Sequence, residues 1–280
     1  MTRLLLTILL LSLKISAFTQ NDSITKKSNK KQTQWYLAWG YTKAVYGKST
    51  IHFKNLSNRY NPATGRIDYY DFYIHNVTAH DRPDFDKIKD VVNITIPQFV
   101  IHGGYSFNKN SGIEINYDHT KYVVDDYQQA RLSGHFNNVP VDSITILDPE
   151  KFLHFEHTDG ANFFMVNYVR RWKLVEPNKN FKLSWTLKPG GGFVIPRTFV
   201  SLFGQTLNNN WKVAGWIVGV ESGLRIEFLK NGFFEFVGKC AYADYVNAFV
   251  LGKGHGKASH RFFAGQLTAT LGCLINRNNE

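Results

Sequence analysis

Residues 93–124 read NITIPQFVIHGGYSFNKNSGIEINYDHTKYVV, and this stretch decides the predicted fold. Two strand-length segments lie on either side of a tight turn at residues 108–110. Apolar and polar side chains alternate in both, so that in the second segment one face carries Ile113, Ile115 and Tyr117. A period of two predicts a β-strand with one apolar and one polar face. The strand lengths and the charges on the polar face indicate a transmembrane hairpin rather than a soluble one.

The N-terminal residues are predicted to be removed or disordered. Residues 1–19 have the features of a secretory signal peptide: Arg3, a short apolar run, and small residues before Gln20. Residues 20–34 are polar and lysine-rich, which predicts a disordered basic leader. Residues 35–276 are then predicted to form one β-rich domain. No later apolar run approaches eighteen residues, so no transmembrane helix is expected.

The alternating pattern recurs along the whole domain. Besides the hairpin, the predicted strands are Trp35–Tyr46, Ala161–Lys173, 181–188, Trp211–Leu229, Phe233–Ala248 and His260–Ile275. Their connections alternate between long and short, which is typical of outer-membrane barrels. The predicted fold class is all-β, an eight-stranded antiparallel transmembrane β-barrel with short periplasmic turns and long extracellular loops. Lipid would make closure of the ring obligatory. The alternative is ten strands, if residues 67–79 also pair inside the membrane.

The polar faces of these strands carry charges of both signs in roughly equal numbers. The predicted lumen charge network is Glu114, Asp118, Arg171, Lys182, Lys188, Glu221, Arg225, Glu227, Glu235 and Lys239. The lumen of an eight-stranded barrel is only wide enough to be filled by side chains. Buried charges there must be paired, so we expect a salt-bridged plug; a narrow polar channel is the alternative. The two cysteines, Cys240 and Cys273, are expected to be free and lipid-facing, with Cys240 opposite a residue near Thr268.

The formal net charge of +11 is spread over loops and turns rather than gathered in one patch. Together with the signal peptide, this argues against nucleic acid as a partner. The phosphates of lipopolysaccharide at the membrane surface are a better match, and an external ligand at the extracellular loops is the other expected partner. A monomer is expected, with no cofactor and no metal.

Three histidine clusters are the candidates for chemistry: AHDRP at residues 79–83, YDHT at 117–120 and FEHTDG at 155–160. All three are predicted to lie near the extracellular rim. The candidate catalytic residues are His119, Asp118, His80, Asp81, His157 and Asp159. A histidine beside a carboxylate suits a general base oriented by an acid, or a zinc ligand. None of the clusters has the spacing of a motif such as H-E-x-x-H, and bracing of the loops is the structural alternative.

In its overall plan the chain resembles the small eight-stranded outer-membrane barrels, including OmpA-type barrels and the barrel lipid A deacylases. The HDRP and FEHTDG strings also resemble those of uncharacterised secreted barrels. The resemblance implies location in the outer membrane of a Gram-negative bacterium and a structural or surface-binding role. The alternative that it implies is a lipid-modifying enzyme that uses the rim histidines. The deacylases carry a His-x-Ser-Asn string on a late strand, whereas residues 244–248 here read DYVNA.

Overall fold

A computed structural model of the protein describes residues 33–56, 60–61, 66–67, 69–82, 98–157, 159–178, 180–251 and 256–275. The predicted signal peptide (1–19), residues 20–32 of the predicted leader and residue 276 lie outside these ranges. Residue 34, assigned to the leader, begins the first strand. Among the described residues there is no helix long and apolar enough to cross a membrane.

The secondary structure of the described residues is entirely β. In chain order the strands are β1 (Gln34–Tyr46), β2 (Ser49–Asn55), β3 (Tyr60–Asn61), β4 (Arg66–Ile67), β5 (Tyr70–Val77), β6 (Ala79–His80), β7 (Phe99–Ser106), β8 (Ser111–Asp118), β9 (Tyr122–Val124), β10 (Gln129–Phe136), β11 (Val139–Ile146), β12 (Leu153–His157), β13 (Phe163–Asn178), β14 (Phe181–Val194), β15 (Thr198–Leu202), β16 (Gln205–Asn208), β17 (Gly215–Phe228), β18 (Gly232–Phe249) and β19 (Lys257–Ile275).

Eight of these strands form a closed antiparallel ring in the order β1-β7-β8-β13-β14-β17-β18-β19. The ring closes because β1 also pairs with β19, from Trp35 opposite Ile275 to Tyr46 opposite Ala264. The predicted fold class is therefore confirmed. The ten-stranded alternative is not adopted, since β5 pairs with β2 and β10 outside the ring.

Several details of the predicted strands are wrong. The strand predicted over 181–188 continues to Val194 as β14, and the strand predicted from Trp211 begins at Gly215 as β17. Residues 122–124, assigned to the opening hairpin, form β9 in a separate sheet. Cys240 lies opposite Gly265, three residues from the position expected near Thr268. This register follows from where the loop between β18 and β19 turns, which strand alternation does not specify. Both cysteines are free and exposed, as predicted.

The outward face of the ring is a band of exposed apolar side chains. Trp39 is 64% exposed, Ile115 61% and Leu271 61%, far more than large apolar side chains in water normally show. The outward apolar band of a membrane-spanning barrel has this character, with aromatic residues at its edges. At the edge of the band farther from the tight turns, which we call the upper edge, Trp216, Tyr242 and Phe263 form a row. Their neighbouring ring centroids are 5.6 Å and 5.1 Å apart.

The long connections at the other end from the tight turns also form β-structure, which includes the two-stranded pair β3–β4 and two larger groups of strands. Strands β2, β5, β10 and β11 extend the upper end of β19, and β6, β9, β12, β15 and β16 form a five-stranded sheet. We call these nine strands the cap. Apolar residues from both groups share one buried core, in which the rings of Phe53 and Phe155 lie 5.3 Å apart. Period-two alternation within the connections therefore builds a packed layer above the barrel rather than isolated loops.

Candidate functional site

The predicted lumen charges lie inside the barrel, and eight of the ten are buried. The buried ones are Glu114, Asp118, Arg171, Lys188, Glu221, Arg225, Glu235 and Lys239. The other two, Lys182 and Glu227, are partly buried nearer the tight turns, and their side chains pair at 3.3 Å. Because all of these residues are on inward positions of their strands, the alternation alone explains their placement.

Lys188 on β14 is the centre of the buried network. Its Nζ lies 3.0 Å from Oε1 of Glu114 and 3.8 Å from Oε2 of Glu221, and it also contacts Glu235. The Lys188 side chain is 1% exposed. One ammonium group thus holds together three carboxylates from three other strands of the ring.

Lys239 on β18 provides a second buried ammonium group, which extends the network toward the cap. Nζ of Lys239 lies 2.9 Å from Oε1 of Glu221 and contacts the carboxylate of Asp118. The amides of Asn116 and Asn167 also donate to Glu221, at 2.6 Å and 3.2 Å. Oε1 of Glu221 therefore faces Lys239 and both amides, and the low dielectric constant of the interior strengthens each of these contacts.

Sequence reasoning missed two members of this network, Tyr36 and His102. The hydroxyl of Tyr36 donates to Glu114 at 2.8 Å, and its ring receives the guanidinium groups of Arg171 and Arg225 at 5.0 Å and 4.8 Å. His102 is buried with Nδ1 3.7 Å from Glu114. The signal was present, since Tyr36 and His102 both occupy inward positions, but only formal charges were counted.

Two of the three histidine clusters, AHDRP and FEHTDG, contribute strands to the five-stranded sheet of the cap, whereas YDHT lies at the end of β8 in the barrel ring. His80 on β6 lies opposite Val123 on β9, and Glu156 on β12 lies opposite the same residue. The histidines do not use the carboxylates that adjoin them in sequence. Nδ1 of His80 donates to Asp125 at 2.5 Å. Neighbouring residues of a strand point to opposite faces, which separates the predicted acid–base pairs.

The three candidate carboxylates have other partners. Asp118 faces the lumen and Lys239, and Asp159 forms an ion pair with Arg197. Asp81 accepts backbone hydrogen bonds, from Ala44 at 2.7 Å among others. Burial raises the pKa of Asp81 to about 7 in spite of these bonds, because the charged form has lost its water.

His119 is oriented by an amide instead of an acid. Its Nδ1 lies 2.8 Å from Oδ1 of Asn162, which also accepts a hydrogen bond from the hydroxyl of Tyr117 at 2.9 Å. The Nδ2 of Asn162 faces the carbonyl oxygens of Asp159, Gly160 and Ile195. This fixes the amide orientation, so Nδ1 of His119 carries the proton and Nε2 carries the lone pair.

The protonation state of His119 suits a proton acceptor. Burial, followed by the positive charge of Lys121, lowers the pKa of His119, which keeps the imidazole neutral at pH 7. The ring stacks on Phe99, with centroids 5.0 Å apart. Nε2 forms no hydrogen bond with another residue that the structure describes. His119 follows Tyr117 on outward-facing positions at the upper end of β8, so it lies at the edge of the apolar band.

Gly160 makes this contact possible. Its φ of +99° lies in the region that favours glycine. A Cβ at this position would lie 2.3 Å from Oδ1 of Asn162 and 2.7 Å from Nδ1 of His119. The glycine of the FEHTDG cluster is therefore needed for the histidine of the YDHT cluster to reach its partner.

His157, the third candidate histidine, is fully buried between the cap and the barrel wall. Its Nε2 lies 3.1 Å from Nε2 of His260, and its Nδ1 lies 3.1 Å from Oγ1 of Thr198. The rings of Tyr122 and Tyr245 pack around the pair. Burial, and then the neighbouring imidazole, holds the pKa of His157 well below its ordinary value. This histidine joins the cap to the barrel and is closed off from a substrate.

No three histidine, cysteine, aspartate or glutamate side chains of the described residues are grouped in a way that could hold a metal ion. Among the candidate residues, His119 has a fixed tautomer and an Nε2 without a hydrogen-bond partner in the described part of the chain, and it is 8% exposed.

No family model matches the chain, and no curated protein matches it in sequence. Solved structures that match include Neisserial surface protein A, at 10% identity over 85% of this chain and 96% of that one, with a TM-score of 0.34. The attachment invasion locus protein Ail of Yersinia pestis matches at 11% identity over 87% and 99%, with a TM-score of 0.30. The outer membrane protease OmpT of Escherichia coli matches at 10% identity over 90% and 99%, with a TM-score of 0.30. These are outer-membrane β-barrels, the class that the sequence resembles, but likeness at this level carries no argument about the function of this chain.

Proposed function

We propose that the protein is an outer-membrane β-barrel of a Gram-negative bacterium with a closed, charged lumen and a structural or surface-binding role. Its tight turns, the start of β1 and the end of β19 lie on the periplasmic side, and its cap lies outside the cell. The observation that carries the proposal is the network around Lys188, which fills the middle of a closed eight-stranded ring whose outer face is apolar.

The apolar band on the outside and the paired charges inside are both expected of a barrel that lies in lipid. In lipid, the outward positions need no polar partner, while every inward charge must find one within the lumen. Lys188 and Lys239 are both nearly inaccessible, and between them they contact four carboxylates. Side chains held in this way occupy the space that an ion would need, which favours a plug over a channel.

The cap supports a role in binding at the cell surface. Its sheets have a common apolar core, so the polar side chains on its outer face are held on a stable support. On that face His52 stacks on Tyr73 with centroids 4.1 Å apart. An external ligand would meet a preformed surface rather than flexible loops.

The plug is tested by conductance in planar bilayers. The folded protein is expected to give no stable openings, and stable ion-selective openings would contradict a closed lumen. Location and fold are tested separately, by isolation of outer membranes and by heat-modifiable mobility on gels. A protein that is absent from outer membranes, or that migrates identically with and without boiling, would contradict the membrane barrel.

A lipid-modifying enzyme is the second candidate function, and the hydrogen bond between His119 and Asn162 is the observation that favours it. A neutral imidazole with its Nδ1 anchored is suited to accept a proton at Nε2, for example from a water that attacks a lipid ester. Its position at the edge of the apolar band is where the head groups of lipids would lie.

This second function is tested by incubation of the purified barrel with lipid A, followed by mass spectrometry of the products. Loss of an acyl chain that is abolished by His119→Ala and unaffected by His135→Ala, an exposed cap histidine, is the expected result for an enzyme. An unchanged mass with the wild-type protein would exclude lipid A as a substrate. If the mass changes and the change survives His119→Ala, His80→Ala and His157→Ala, the assignment to these histidines is wrong.

A further inference from the structure

A notch of about 260 Å³ lies on the outer wall, where the cap sheet joins the upper end of β19. It has a basic side and an apolar side. Its lining residues are His52, Lys54, Leu56, Val246, Lys257 and Ser259. None of them belongs to the lumen network or to the rim around His119, so the notch is a separate feature of the surface.

Two lysines face each other across the notch. Lys257 on β19 lies directly opposite Lys54 on β2, and both are exposed on the outward face. Like charges in directly opposite positions of a strand pair are destabilising. Asp71 compensates one of them, since its Oδ2 lies 3.2 Å from Nζ of Lys54. Lys257 forms no ion pair with another residue among those that the structure describes.

A third ammonium group lies near this pair. Nζ of Lys212 lies 4.1 Å above the ring of Phe249, at the end of β18. Burial, and then the positive charge of Lys257, lowers the pKa of Lys212. Among the described residues, the carboxylate that pairs with any of these three lysines is Asp71, which also contacts His52 at 2.6 Å. Lys212 and Lys257 form no ion pair in that part of the chain. An anion placed among them would remove the repulsion.

The apolar side of the notch is continuous with the apolar band below it. Val246 is 51% exposed and Leu56 is 47% exposed. Farther down the same face is the aromatic row that ends at Phe263. Lys257 is six residues beyond Phe263 on β19, which is about 20 Å along a strand and about 15 Å in height for a tilted barrel strand. A ligand of the notch would thus be anionic and would extend well above the acyl chains.

We propose that this notch binds the phosphate groups on the sugar head group of an outer-leaflet glycolipid. The proposal rests on the membrane location proposed above and names the partner of the outer wall. A phospholipid places its phosphate near the aromatic row, too low to reach Lys54 and Lys257. A phosphorylated oligosaccharide reaches that height while its acyl chains remain against the apolar band.

The test is a comparison of lipid binding by purified, folded barrels in detergent, using native mass spectrometry. The variant is Lys54→Gln with Lys257→Gln. The control is Lys109→Gln with Lys230→Gln, which removes the same charge from exposed tight turns at the opposite end. The probes are phosphorylated lipopolysaccharide, the same material after enzymatic dephosphorylation, phosphatidylglycerol and inorganic phosphate.

Wild type and control are expected to bind the phosphorylated lipopolysaccharide equally, and the variant about 25-fold more weakly. This is about fivefold for each lysine near an anionic surface. Equal binding by the variant, or unchanged binding after dephosphorylation, would overturn the proposal. So would equally tight binding of phosphatidylglycerol or inorganic phosphate. Heat-modifiable mobility and outer-membrane isolation are measured on the same proteins. A protein that passes both tests but does not bind the glycolipid through the notch contradicts this proposal alone, whereas a protein that fails them contradicts the membrane location.

Discussion

Replacement of Lys188 by methionine is expected to destabilise the barrel strongly. Methionine has a similar length but no charge, so it leaves Glu114, Glu221 and Glu235 without their common partner. At an effective dielectric constant of about 20, unit charges 3.0 Å and 3.8 Å apart attract by about 5.5 and 4.4 kcal/mol before desolvation. Neighbouring side chains and water relax after such a change, and losing one partner of a buried pair typically costs about 3–5 kcal/mol.

We therefore expect Lys188→Met to lose about 4 kcal/mol of the free energy of unfolding. The matched control is Lys182→Met on the same strand and face, because Lys182 is partly exposed and pairs with Glu227 at 3.3 Å. A pair that solvent reaches contributes about 0–1 kcal/mol, because water screens its charges. Urea titrations in lipid vesicles, followed by the gel mobility of the folded barrel, measure both changes. Equal urea midpoints for the two variants would refute the view that Lys188 holds the lumen together.

Two further predictions concern the rim and the joint between cap and barrel. Gly160→Ala is expected to break the hydrogen bond between His119 and Asn162 and to lower the free energy of unfolding by about 1–3 kcal/mol. Urea titration measures this change, and an unchanged midpoint would mean that the loop tolerates a Cβ. His157 has a pKa well below that of an unfolded histidine, about 6.5, so at this site the unfolded state binds more protons, and the contribution of His157 to stability falls as the pH drops below about 6.5. The expected slope is about 1.4 kcal/mol per pH unit, and urea midpoints at pH 7.5 and 5.5 should differ less in His157→Gln than in the wild type. A variant as acid-sensitive as the wild type would place the titrating group elsewhere.

The sequence itself determined the eight strands, their two faces and the residues that line the lumen. Alternation is a local property: once a segment is a strand with one apolar side, every second residue must face inward. This is why Lys188 and Glu221 could be assigned to the interior before any pairing was known. The free cysteines follow from the same alternation, since both are on outward positions.

Only the tertiary structure decided which of the lumen residues, and which of the residues at the rim, contact each other. Lys188 meets Glu114 from β8 because both strands curve around one closed ring, and the height at which they meet depends on register and tilt. His119 is paired with Asn162, 43 positions later, because Gly160 leaves room for the approach. The packing of the long connections into a cap likewise depends on contacts between segments far apart in the chain. Local periodicity sets the direction of a side chain, whereas its partner is set by long-range geometry that no local pattern records.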